Sequence, residues 1–170
     1  MISFQEFSVQ DNRDKLDFLK KADLRARGFN IVGMFDEIET VTQMRNKIKE
    51  LNILSDRDPC ERKFFWILRD NYLIGVITLR PALNGFWLHN AGYIGIAIDK
   101  PYRGQNCGTE AFKKMCKKAN AEYGIKDIIV AALIDNVASR AMIEKSGGKY
   151  WDTIIAADGE QLARYWVKSE

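Results

Sequence analysis

A chain of 170 residues, 46% hydrophobic and 29% charged, has the length and composition of one globular domain with a substantial core, and residues 1–170 read as a single unit. Its net charge of +3 is too slight to indicate a nucleic-acid partner. No run of about eighteen apolar residues marks a membrane-spanning helix. Three cysteines (Cys60, Cys107, Cys116) and a single histidine, His89, give neither a disulfide framework nor a metal-ligand spacing, so no metal is expected. The N-terminal residues lack a secretory pattern, and the chain is expected to work in the cytoplasm.

Ile2 to Val9 reads as a first strand. Asp11-Asn12 can cap a helix from Arg13 to Arg27 that Gly28 ends, with a thin apolar face of Leu16, Leu19 and Ala22. Phe29 to Phe35 has no clear period and reads as a packed loop. Asp36 to Asn52 reads as a second helix, because Ile38, Val41, Met44, Ile48 and Leu51 recur three or four apart. Ser55 to Glu61 is a polar turn. Lys63 to Arg69 and Tyr72 to Arg80 then form a hairpin about Asp70-Asn71. Pro81 to Asn90 reads as a longer loop carrying Phe86, Trp87 and His89.

Ala91 to Asp99 is apolar and β-branched, and a short polar loop, Arg103 to Gly108, follows it. Thr109 to Glu122 is strongly helical, with Phe112, Met115, Cys116 and Ala119 on one face and Lys113, Lys114, Lys117 and Lys118 on the other. Strand, tight loop and helix start together form a phosphate cradle, since free loop amides and the positive end of the helix dipole converge there. Asp127 to Ile134 is apolar throughout, as in a central strand covered on both faces. Ala138 to Lys145 is a short helix stopped by Gly147-Gly148. Lys149 to Ala156 and Leu162 to Lys168 close the chain as an antiparallel pair around Asp158-Gly159. The order is β-α-α-β-β-β-α-β-α-β-β, an α/β (α+β) domain.

Three stretches resemble the GNAT-type N-acetyltransferase family. That family's acetyl-CoA loop reads Arg or Gln, two variable residues, Gly, one variable residue, then Gly or Ala. Arg103-Gly104-Gln105-Asn106-Cys107-Gly108 occupies it here. Asp135-Asn136-Val137-Ala138-Ser139 with Glu144-Lys145-Ser146-Gly147 resembles the segment after the family's fifth strand, and Arg164-Tyr165-Trp166-Val167 its last strand. Within the family, Leu83-Asn84 before Gly92-Tyr93-Ile94-Gly95 is most similar to a branch of uncharacterised acetyltransferases.

The resemblance implies the family's acyl-CoA N-acyltransferase fold, a mixed, mostly antiparallel sheet of about seven strands flanked by about four helices. It implies acetyl-CoA as co-substrate, bound by the backbone of Ile96, Ala97 and Ile98, by the loop Arg103, Gly104, Gln105, Asn106, Cys107 and Gly108, and by Thr109, Asn136 and Ser139. A primary amine of a small molecule or peptide would attack the thioester directly in a ternary complex, and a homodimer is a form common in the family. A non-catalytic acyl-CoA-binding module is the alternative. Two departures bear on these implications. Asn106 stands where the loop's middle glycine is usual, and asparagine tolerates the positive φ such a turn demands. Ile143 stands where many members carry a tyrosine that protonates the departing thiolate. Tyr93, His89 and Asp99 are the remaining candidates for proton transfer, with core packing, solvation and capping as their respective alternative readings.

Overall fold

Antiparallel pairing builds both sheets of the computed structural model, which describes residues 1–24, 32–51 and 61–169. β1 (Ile2–Glu6), β2 (Lys63–Arg69), β3 (Tyr72–Leu79) and β4 (Ile94–Ile98) form a four-stranded sheet in that order. β5 (Asp127–Leu133), β7 (Gln161–Lys168) and β6 (Lys149–Ile155) form a three-stranded one. The β2–β3 turn is Asp70-Asn71, with φ of +51° and +69°, the conformation a two-residue hairpin needs.

Each face of the first sheet is covered by different helices. On one side α1 (Arg13–Lys21) and α2 (Val41–Leu51) bury Leu16, Leu19, Met44 and Ile48 against Trp66, Phe64 and Val76. The Trp66 ring stacks on Phe7 at 3.9 Å, and its Nε1 donates to the buried Asp11 carboxylate at 2.8 Å. That bond satisfies two polar groups that burial would otherwise penalise. On the other side α4 (Cys107–Tyr123) packs Ala111, Phe112, Met115 and Cys116 on both sheets, and α5 (Val137–Lys145) adds Ile143. The Cys116 thiol is pushed up to about 12 by burial, so it is an inert core group.

The structure shifts several boundaries. α1 ends at Lys21 with Ala22 as its C-cap; the expected extension toward Arg27 and Gly28 falls largely outside the described residues. α2 begins at Val41 rather than Asp36, because Thr40 and Gln43 form a capping box. Thr40 Oγ1 accepts from the Gln43 amide at 3.2 Å, and Gln43 Oε1 accepts from the Thr40 amide at 2.9 Å. Most of the turn expected at Ser55 to Glu61 lies outside the described residues. The expected loop Pro81 to Asn90 contains α3 (Gly85–Asn90), started by Asn84, whose side chain accepts from the Trp87 amide at 2.9 Å. α4 starts at Cys107, ahead of Thr109. Five α-helices are therefore present among the described residues, where four were expected.

The two sheets meet at one point. Gly92 bridges to Val130, with the Tyr93 amide donating to Ile129 O at 2.8 Å and the Ala131 amide to Ala91 O at 3.1 Å. Among the described residues no ladder joins β4 to β5 beyond it. Gly92 has φ +88°, and a Cβ there would lie 2.3 Å from Ile129 O. Gly92→Ala should therefore cost at least about 2 kcal/mol, from strain and clash together, read as a lowered urea midpoint.

Candidate active site

The opening between β4 and β5 begins with the direction of the β4 peptide groups. The Asp99 amide donates to Ile74 O and the Arg80 amide to Tyr93 O, both at 2.8 Å. Antiparallel alternation then turns the N–H and C=O of Gly95 and Ala97 toward β3, and those of Ile94, Ile96 and Ile98 away from it, into the seam. Arg103 Nε donates to Ile98 O at 2.8 Å, as this geometry requires. Apart from Ile98 O, the seam-facing backbone groups of β4 thus form an edge without a strand partner.

At the outer end of this edge stands the loop. Asn106 adopts φ +66° and Gly104 φ +74°, and a Cβ on Gly104 would meet nothing within 4 Å, so the turn is open on its outer side. The seventeen-residue α4 starts immediately after it and brings its positive dipole end to the same place. Beside it runs a groove of about 490 Å³ lined by Ile96, Ala97, Ile98, Arg103, Gly104, Asn106, Gly108, Thr109, Asn136 and Ser139. Ten of the twelve expected cofactor residues come together there. The other two, Gln105 and Cys107, turn their side chains elsewhere. Gln105 Nε2 donates to Pro101 O, its Oε1 accepts from Arg69, and Cys107 is buried in the core.

Sequence reasoning missed Tyr102, Met142 and Lys145, which also line the groove. Met142 and Lys145 reach it because α5 packs beside α4, and Gly108 is the residue that lets them close up: a Cβ there would lie 3.2 Å from Met142 Sδ. Arg103 is drawn back toward Asp23, whose carboxylate lies 3.6 Å from Nη2. Lys145 is exposed and lines the groove.

Ile96, Asn136, Ser139 and Met142 also border a second cavity of about 240 Å³, which continues toward the Ile94 end of β4. Ile94, Phe112, Ile143 and Leu162 contribute apolar lining, and Arg62, Arg80 and Trp87 the polar part. Asn136 lies at the junction and caps α5, its Oδ1 accepting from the Ser139 amide at 3.1 Å. Ile143 is 2% exposed and belongs to the core.

The three candidates for proton transfer do not line either cavity. Tyr93 is half-buried and packs against the core under α4. Asp99 accepts from the amides of Lys100 and Asp23, both at 2.8 Å, so its carboxylate serves as a cap. His89 is exposed on α3, with Nδ1 3.0 Å from Gly85 O. Its α3 neighbours are tied to the second sheet by Arg164, which donates to Leu88 O at 3.3 Å and grips Asp152 through two bonds of 2.7 and 2.5 Å.

Residues 8–149 match the acetyltransferase (GNAT) domain family. The chain belongs to that family. Solved structures carry the same fold on different sequences. A ribosomal L7/L12 α-N-protein acetyltransferase, RimL, in complex with coenzyme A is 16% identical with a TM-score of 0.72, over 98% of this chain and 93% of its own. A spermidine N-acetyltransferase SpeG chimera from Vibrio cholerae and hSSAT is 11% identical at 0.67, over 99% and 95%. The Campylobacter jejuni N-acetyltransferase PseH in complex with acetyl coenzyme A is 13% identical at 0.64, over all of both chains. No curated protein matches in sequence.

The hydrogen bonds from Arg164 hold the Asp152 carboxyl below the usual carboxylate range, with burial opposing and His89 adding slightly. A folded-state value lower than the unfolded one contributes stability above the unfolded value, about 3.9, and loses it as pH falls through the folded one. Unfolding of Asp152→Asn should therefore depend less steeply on pH below about 4 than that of the parent GNAT domain, in acid titrations followed by circular dichroism.

Proposed function

We propose that this GNAT domain moves the acetyl group of acetyl-CoA to the primary amine of a small molecule or peptide, by direct attack of the amine on the thioester. One observation carries the reading: the edge of β4 that faces away from β3 has no strand partner and leads from the amino end of α4, where Arg103 holds Ile98 O, to the inner cavity. A pantetheine arm has the amides and carbonyls to pair with Ile96 and Ile98 as an added strand. Its pyrophosphate suits the amides of Arg103 to Gly108 and the hydroxyl of Thr109 at the helix start. Asn136 caps α5 through Oδ1, which leaves Nδ2 for a pantetheine carbonyl, and Ser139 stands beside it. The thioester then meets the second cavity where the two spaces join, and the peptide N–H of the β4 edge lies where an oxyanion would form.

The described residues lining the second cavity include no His, Cys, Asp, Glu or Lys. The amine therefore gives up its proton to water at the mouth of the cavity, and the thiolate, a good leaving group with a pKa near that of free cysteine, departs without a side-chain acid. Tyr93→Phe should then keep turnover within about threefold of the parent, well short of the 10²–10⁴ that a general acid or base contributes. The alternative, a non-catalytic acyl-CoA-binding module, draws on the alkyl side chain of Ile143 at the usual tyrosine position.

Thiol release from acetyl-CoA against a panel of amines, beside a calorimetric titration with CoA, separates the two. Turnover with any acceptor supports the enzyme; saturable binding without turnover supports the module. Lys145→Ala should weaken CoA by roughly threefold to tenfold, the effect of losing one charge-assisted phosphate contact, and more strongly at low salt. An unchanged dissociation constant would remove Lys145 from the site.

A further inference from the structure

We infer, on the acetyltransferase reading above, that Arg164 and Asp152 are positioning residues for the acceptor amine, acting through α3 on the wall of the second cavity. α3 contributes Trp87 and Asn90 to that wall. It is six residues long and none of them is fully buried, so neither helix propagation nor a core face of its own fixes its place. On the side of the first sheet, the Arg80 guanidinium stacks on Trp87 at 3.8 Å. On the side of the second sheet, the β6–β7 hairpin holds α3 at two points. Arg164 Nη1 donates to Leu88 O at 3.3 Å, one of the end carbonyls that a helix leaves without an internal partner. The Ala157 amide, in the turn of the hairpin, donates to Asn90 Oδ1 at 2.8 Å, while Asn90 Nδ2 closes back on Phe86 O at 2.7 Å.

A bulge in β6 makes the pair. Tyr150 stands opposite Tyr165 and Asp152 opposite Arg164, so Trp151 is an extra residue between them. Without the bulge, Trp151 would face Arg164 and Asp152 would face Ala163. With it, the Asp152 carboxylate accepts from Arg164 Nε and Nη2 together, and the Trp151 ring lies 4.0 Å from the same guanidinium. Bidentate pairing and stacking fix the plane of the guanidinium, and its remaining nitrogen is the one bonded to Leu88. Arg164 is 6% exposed. A buried ion pair adds little net stability, because desolvation offsets the attraction, so the use of this one is geometric. The wall it holds borders the second cavity, where the amine approaches the junction at Ile96 and Asn136, whereas the donor groove takes no lining residue from α3. Loosening α3 should therefore disturb the amine and spare acetyl-CoA.

The deciding variant is Arg164→Lys, which keeps a cation beside Asp152 but lacks the fork that also reaches Leu88 O. Parent and variant are compared by thiol release from acetyl-CoA with the best amine of the panel varied, by calorimetric titration with acetyl-CoA, and by amide exchange of residues 85–91. In Arg164→Lys the KM for the amine should rise roughly tenfold, the effect of losing one hydrogen bond from a charged group, with the acetyl-CoA dissociation constant within about twofold of the parent. Exchange across α3 should quicken at the same time. Asp152→Asn, which keeps the shape and one acceptor, should move the same two readouts in the same direction by less, and it decides the matter by the same criteria where Arg164→Lys does not fold. A lowered unfolding midpoint with the amine KM and α3 exchange unmoved overturns the inference. An equal loss of acetyl-CoA affinity overturns it too, as does failure of both variants to fold, since either result makes the pair a support of the whole domain. A parent that binds acetyl-CoA but turns over no amine, or that does not bind it, overturns the acetyltransferase reading and this inference with it.

Discussion

The backbone contact at Gly92 is the constraint on which the site depends. Two sheets that paired along their full length would leave no unsatisfied strand edge and no space between β4 and β5. Here they are joined by hydrogen bonds on either side of one residue, whose positive φ and missing side chain let the β5 backbone approach. Beyond it the strands are no longer paired, and the outward peptide groups of β4 are exposed where a buried edge would otherwise be penalised. Packing of α4 and α5 below keeps the opening from collapsing, since the same core runs continuously under both sheets. A ligand with its own alternating amides and carbonyls is the natural complement of such an edge.

Charge is divided along this opening. At one end stand the dipole of α4, the turn amides and Lys145; at the other stand Arg62 and Arg80 around Trp87. Between them the junction is neutral, with Ile96, Met142, Asn136 and Ser139. That distribution suits a long anionic donor entering at the α4 end, with a neutral reacting centre beyond it. It also fits a chemistry that relies on position more than on proton transfer. Ile143 fills core space, and the titratable side chains nearest in sequence are engaged elsewhere: Asp99 in a cap, Tyr93 against the core.

Much of this was legible from local pattern. The β-branched run before Asp99, the positive-φ tolerance of Asn106 and the three-to-four spacing in α4 are properties of neighbouring residues, and the structure agrees with them. Helix starts were less legible where the signal was a side chain capping a neighbouring amide. Asn84 with Trp87, and Thr40 with Gln43, shifted boundaries that hydrophobic spacing had set. The groove residues Met142 and Lys145 depend on how α5 lies beside α4, which no local pattern encodes. Arg62 and Arg80 show the limit most clearly. The Asp70-Asn71 turn alone would set Arg62 opposite Leu79; a bulge between Ile67 and Leu68 moves the register by one residue and brings the two arginines together.

On the proposed function, the edge of β4 and the loop before α4 form one binding surface for acetyl-CoA. Amide hydrogen exchange of the protein with and without saturating acetyl-CoA addresses it most directly. Binding there should slow exchange at Ile96, Ile98 and the amides of Arg103 to Thr109, with β1 and β6 unchanged. Exchange unaltered at Ile96 and Ile98, or protection confined to another face, would contradict it.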